Sequence, residues 1–79
     1  MMKQKINDIL ADVSGVDAGS ILETTRLVDD LGLTSFDLAD IIVNIEDEYG
    51  VSIPDEELQS LQTVGNVYEL AGRVLKNED

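Results

Sequence analysis

Ser35 stands at the junction between a long irregular stretch and the most regular apolar pattern in the chain. At the start of a helix its hydroxyl would lie beside backbone N–H groups that have no partner inside the helix. A phosphodiester at that place is favoured by those donors and by the helix dipole. The commoner role there is simpler: Thr34 or Ser35 caps the helix by accepting one of those N–H groups, and position alone favours capping. The chain has no His and no Cys, which removes the Ser/His and Cys/His nucleophile pairs, a histidine general base and a thiolate zinc site. Any thioester chemistry would need an imported thiol. Asp29-Asp30 offers neighbouring carboxylates, but adjacent side chains need not converge and no Asp-x-Asp-x-Asp-Gly calcium loop is present. A solvated acidic loop is the expectation, with no metal site.

The element that must position Ser35 is a helix over about residues 35–49, where Leu38, Ile41, Ile42, Ile45 and Tyr49 follow helical spacing and Gly50 ends it. Asp37 and Asp40 fall in its first turns, where carboxylates complement the dipole. Opposite the apolar stripe lies a face with Phe36, Ala39, Asp40, Val43 and Asp47. Two apolar side chains beside carboxylates make a small candidate docking surface, although isolated exposed apolar residues are common.

Three further helices are expected. Ile6, Ile9, Leu10 and Val13 form a stripe on a helix over about residues 2–13, stopped by Ser14-Gly15. A short helix opens at Asp55 after the extended Val51-Ser52-Ile53-Pro54 and runs to about Leu61. Thr63 caps a last helix over about residues 64–76, with Val64, Val67, Tyr68, Ala71, Val74 and Leu75 on one side and Asn77-Glu78-Asp79 as a frayed tail. Residues 14–34 carry Val16, Ile21, Leu22, Leu27, Val28, Leu31 and Leu33 without a clean period, which suggests a long loop packed over the core. The fold class is all-α: a small four-helix bundle, three main amphipathic helices and one short one, forming one domain over residues 1–79.

The charge of −12 is concentrated. No Lys or Arg lies between Arg26 and Arg73, and that stretch alone carries −11. Such a surface repels phosphate backbones and anionic lipid headgroups, so nucleic acid and membrane are not expected partners. It attracts proteins with basic patches instead. No apolar run approaches the roughly 20 residues that span a bilayer, and the chain reads as a cytoplasmic monomer.

The stretch Asp29-Asp30-Leu31-Gly32-Leu33-Thr34-Ser35-Phe36-Asp37-Leu38 resembles the attachment motif of the acyl carrier protein family, in which a loop ending in Leu-Gly leads to Asp-Ser-Leu at the head of the second helix. Glu46-Asp47-Glu48-Tyr49-Gly50-Val51-Ser52-Ile53-Pro54-Asp55-Glu56 is similar to the family's acidic helix end and its Gly-x-x-Ile-Pro turn, and Thr63-Val64-Gly65-Asn66-Val67 resembles its Thr-Val-Gly-Asp helix start. The three segments stand in family order and at family spacing.

The resemblance implies a carrier without enzymatic activity of its own. A 4′-phosphopantetheine arm, derived from coenzyme A, would be attached to Ser35 and hold acyl intermediates as thioesters for fatty-acid, polyketide or related specialised biosynthesis. It implies docking through Phe36, Asp37, Asp40, Val43 and Asp47. The implied partners are a phosphopantetheinyl transferase and the acyl-loading and biosynthetic enzymes with basic docking patches. The bundle interior would shelter the apolar part of the cargo. Thr34 replaces the family's usual Asp and Phe36 its usual Leu, which points to a dedicated carrier of a specialised pathway. An aminoacyl or peptidyl carrier shares the fold and the serine, and an unmodified acidic interaction module is the alternative from another class.

Overall fold

The computed structural model describes residues 2–78. Its α-helices are α1 (Met2–Ser14), α2 (Ser35–Tyr49) and α3 (Val64–Glu78), with short 3₁₀ segments at Ala18–Ser20 and Asp55–Ser60. The helix over 35–49 has the expected bounds. The short helix is 3₁₀ and ends at Ser60, because Pro54 fixes an extended entry and Leu61 is already extended again (φ −86°, ψ 109°). The last helix runs to Glu78, through part of the expected tail; Asp79 lies outside the described residues. The turn at Ala18–Ser20 was not legible in the apolar pattern.

The core is continuous across the three α-helices and the stretches that join them. Ile6 and Leu10 of α1 meet Leu38, Ile41, Ile42 and Ile45 of α2 and Val64, Val67, Tyr68, Leu70 and Ala71 of α3. Each fully buried aliphatic side chain contributes about 1.5–3 kcal/mol against its exposed state, so a domain this small depends on nearly every one. The long loop supplies Ile21, Leu27, Leu31 and Leu33 to the same core, while Leu22 and Val28 turn outward. The loop is packed over the core as expected, through these four residues and the partly buried Val16, and backbone ties hold it there.

Those ties run to the start of α3. Leu27 N donates to Gln62 O at 2.9 Å, Val64 N to Thr25 O at 2.9 Å and Gly65 N to Glu23 O at 2.8 Å. At its far end α2 stops at Gly50, whose left-handed backbone (φ 65°, ψ 37°) lets its N–H close onto Glu46 O. The Glu46 carboxylate reaches past that turn and accepts the Ile53 N–H at 2.7 Å, which seats the segment entering Pro54. Lys5 of α1 pairs with Glu48 of α2 at 2.8 Å, and Arg73 of α3 with Glu57 at 3.2 Å. The Lys5–Glu48 pair is exposed and adds little to stability, and the Arg73–Glu57 pair joins an exposed guanidinium to a half-buried carboxylate.

Candidate functional site

Ser35 is the first residue of α2 and is exposed. The choice between the two capping residues falls on Thr34. Its backbone is extended (φ −95°, ψ 174°), its hydroxyl accepts the Asp37 N–H at 3.2 Å, and the Asp37 carboxylate accepts the Thr34 N–H at 2.9 Å. This reciprocal capping box satisfies two donors at the helix start. It leaves the Ser35 hydroxyl without a hydrogen bond among the described residues, facing solvent beside the first free N–H groups of the helix. A phosphodiester on that oxygen would meet those donors and the positive end of the dipole, so the residues present fit a phosphopantetheine linkage.

The loop leading to Ser35 is built as a closed ring. The Asp30 and Leu31 N–H groups both donate to Arg26 O, Gly32 N to Val28 O at 3.0 Å and Leu33 N to Leu27 O at 3.1 Å. Gly32 turns the chain with φ 68°, a left-handed conformation that a side chain at this position would strain. The two adjacent aspartates do separate jobs. Asp30 accepts the Arg26 N–H at 2.8 Å and Asp29 pairs with the Arg26 guanidinium at 3.1 Å. No group of three or more His, Cys, Asp or Glu that could hold a metal occurs among the described residues.

Below Ser35, α2 presents Phe36, Asp40, Val43 and Asp47 on one exposed face, with Phe36 84% and Val43 51% accessible. Ala39 between them is half-buried. Asp37, grouped with these residues from sequence, is half-buried, and one of its carboxylate oxygens accepts the Thr34 N–H at the cap. Sequence reasoning missed Arg26, Gln62 and Asn66. Asn66 accepts the N–H groups of Gln62 and Thr63 at 3.0 and 2.9 Å while its own N–H donates to the Thr63 hydroxyl. The Thr-x-x-Asn spacing, like Thr34-x-x-Asp37, carries the signal of a side chain returning to its own cap.

Residues 4–71 match the family model described as the phosphopantetheine attachment site. A Mycobacterium tuberculosis protein assigned as an acyl carrier protein is 33% identical, with 92% of this chain and 97% of that one covered and a TM-score of 0.85. The chain belongs to the acyl carrier protein family. An acyl carrier protein of Thermotoga maritima is 25% identical over 99% of this chain and 96% of its own, with a TM-score of 0.82. A chain in the structure of the ishigamide ketosynthase/chain length factor is 27% identical, covering 95% of this chain and 94% of itself at a TM-score of 0.78. The prosthetic group of such a carrier is 4′-phosphopantetheine. The arm supplies the thiol that a chain without cysteine lacks. The role is acyl carriage in company with biosynthetic enzymes, and carriers are not themselves enzymes. No helix among the described residues is long and apolar enough to cross a membrane.

Proposed function

We propose that Ser35 is the attachment serine, and that the chain forms one carrier domain loaded by a phosphopantetheinyl transferase. The observation that carries this is the division of labour at the head of α2: Thr34 and Asp37 cap the helix, and Ser35 keeps an exposed, uncommitted hydroxyl. In the transfer the Ser35 oxygen attacks the pantetheine-side phosphorus of coenzyme A. Its proton passes to a base of the transferase, a new P–O bond forms, and the pyrophosphate bond breaks to release the adenosine bisphosphate. The arm's thiol then accepts an acyl group as a thioester.

Recognition is assigned to the face below. Asp40 and Asp47 attract basic surfaces over distance, and Phe36 and Val43 are buried when the surfaces meet. Nothing in the chain's own chemistry competes with the arm for the cargo, since it offers neither imidazole nor thiol. The partners proposed are thus the transferase, an acyl-loading enzyme and condensing or tailoring enzymes with basic docking patches, in fatty-acid, polyketide or related specialised biosynthesis.

The test is intact mass after incubation with coenzyme A and a broad-specificity transferase. The parent should gain one phosphopantetheine and Ser35→Ala should gain none while remaining helical. Loading of the Ser35→Ala protein would overturn the assignment.

A further inference from the structure

Charge is spread unevenly along α2 and the segments that flank it. Residues 26–39 hold three carboxylates and one cation, whereas residues 40–57 hold seven carboxylates and no cation. At the Ser35 end local partners weaken the field further. Asp29 is paired with the Arg26 guanidinium at 3.1 Å, and Asp37 stands at the helix start, where the dipole contributes about half a positive charge. At the other end the dipole has the opposite sign, and Glu46, Asp47 and Glu48 fall in the last turns with no basic residue of the helix beside them. Lys5 of α1 offsets Glu48 alone. The negative potential therefore deepens along α2 from Ser35 toward Gly50.

The two side chains next to Ser35 carry no charge. Phe36 is 84% exposed, more than any other large apolar residue described. Thr34 is exposed, and its hydroxyl oxygen accepts the Asp37 N–H while its proton goes to no described residue. An enzyme that brings a phosphorus atom to the Ser35 oxygen must cover both. Coenzyme A arrives with its pyrophosphate and a further phosphate, and the enzyme's cations are needed for them. A carboxylate beside Ser35 would compete with the phosphates for those cations, and Thr34 and Phe36 do not. Asp47, twelve residues after Ser35, lies about 18 Å further along the helix axis. That is more than twice the screening length of about 8 Å at physiological salt, so its field is faint at Ser35.

We propose that the phosphopantetheinyl transferase recognises the Ser35 end of α2 by seating the Phe36 ring in an apolar pocket and accepting the Thr34 hydroxyl proton, without contact to the acidic end. The partner that fits this surface has an apolar patch with a hydrogen-bond acceptor opposite Thr34, and turns its cations toward coenzyme A. The acidic end is left to the enzymes that use the loaded arm, so the carrier is loaded through short-range contact and later steered by charge. This rests on Ser35 being the attachment residue, and the experiment separates the two claims.

The rate of loading by a broad-specificity transferase at saturating coenzyme A, followed by intact mass over a sodium chloride series, tests this, with fragment ions locating the arm. Asp47→Asn and Glu56→Gln should load at the parent's rate and share its salt curve. Phe36→Ala should lower kcat/KM for the carrier roughly tenfold, equivalent to about 1.4 kcal/mol, and Phe36→Leu should restore most of the loss. Thr34→Asp keeps a capping acceptor but replaces the donor by a charge, so its loading should slow several-fold and recover as salt rises. All four positions are exposed, and circular dichroism confirms that each variant is helical. Slower loading or a flatter salt curve in Asp47→Asn or Glu56→Gln would overturn the proposal. Parent-like loading of Phe36→Ala, or faster loading of Thr34→Asp, would do the same. In these cases an arm still found on Ser35 leaves the attachment standing. An arm found on another residue would overturn the attachment and the proposal together.

Discussion

Removing the Thr34 hydroxyl should weaken the start of α2, and removing the Ser35 hydroxyl should not. In Thr34→Ala the Asp37 N–H loses its 3.2 Å acceptor and only the return bond from the Thr34 N–H to the Asp37 carboxylate remains. Loss of an N-cap side chain costs about 0.5–2 kcal/mol. The freed N–H is exposed and regains water, so the lower half of that range applies, about 1 kcal/mol. For a domain of this size 1 kcal/mol corresponds to roughly 4–8 °C in Tm. Thermal unfolding followed by circular dichroism should therefore show Thr34→Ala melting several degrees below the parent, Thr34→Ser close to it and Ser35→Ala close to it. Amide exchange at Asp37 and Leu38 should quicken in Thr34→Ala only. A Ser35→Ala protein that melts lower than Thr34→Ala would refute the reasoning, because Ser35 would then be the cap and its hydroxyl would not be free.

Gly65→Ala should lower Tm by loosening the loop, since a Cβ there would stand 3.2 Å from Glu23 O and 3.0 Å from Glu23 Cγ; overpacking of this kind costs about 1–3 kcal/mol, and an unchanged Tm would show that the loop yields freely. Sodium chloride or magnesium should raise Tm by screening the acidic stretch, and a flat or falling salt titration would show that self-repulsion is not a leading effect. Asp40→Asn and Asp47→Asn should slow association of the holo protein with a partner enzyme and flatten its salt dependence, whereas Phe36→Ala and Val43→Ala should speed dissociation. Parent-like rates in all four variants would move the docking face elsewhere.

The helices were legible because their signal is periodic. Leu38, Ile41, Ile42 and Ile45 repeat at helical spacing and are all buried, and Phe36 and Val43, which fall off that spacing, are exposed. The loop was harder because its burial follows tertiary hydrogen bonds instead of a period. Leu27 is buried and Val28 exposed, and nothing in two adjacent aliphatic residues distinguishes them until the Leu27 N–H is seen bonded to Gln62 O. The acidic residues were the least legible. Asp30, Asp37 and Glu46 read as surface charge, yet each accepts a backbone N–H, because a carboxylate's partner depends on where the chain returns. The ambiguity between Thr34 and Ser35 has the same origin: both are good caps, and only the extended backbone at Thr34 decides.

The bonds from residues 23–27 to residues 62–65 also set an order of events in folding. Helices α1 and α2 and the turns of the loop between them close on local bonds, but the loop's backbone bonds to the rest of the chain wait for the start of α3, later in the sequence. Closing contacts across so large a separation is slower than forming local ones. On a ribosome, where the N-terminal part emerges first, α2 would become helical before the loop in front of Ser35 had residues 62–65 to dock on. A nascent chain that had not yet released Val64 and Gly65 would present Ser35 behind a loop not yet docked. A transferase that reads the assembled loop together with the helix start would therefore load completed carriers and pass over unfinished ones, with no separate checkpoint required.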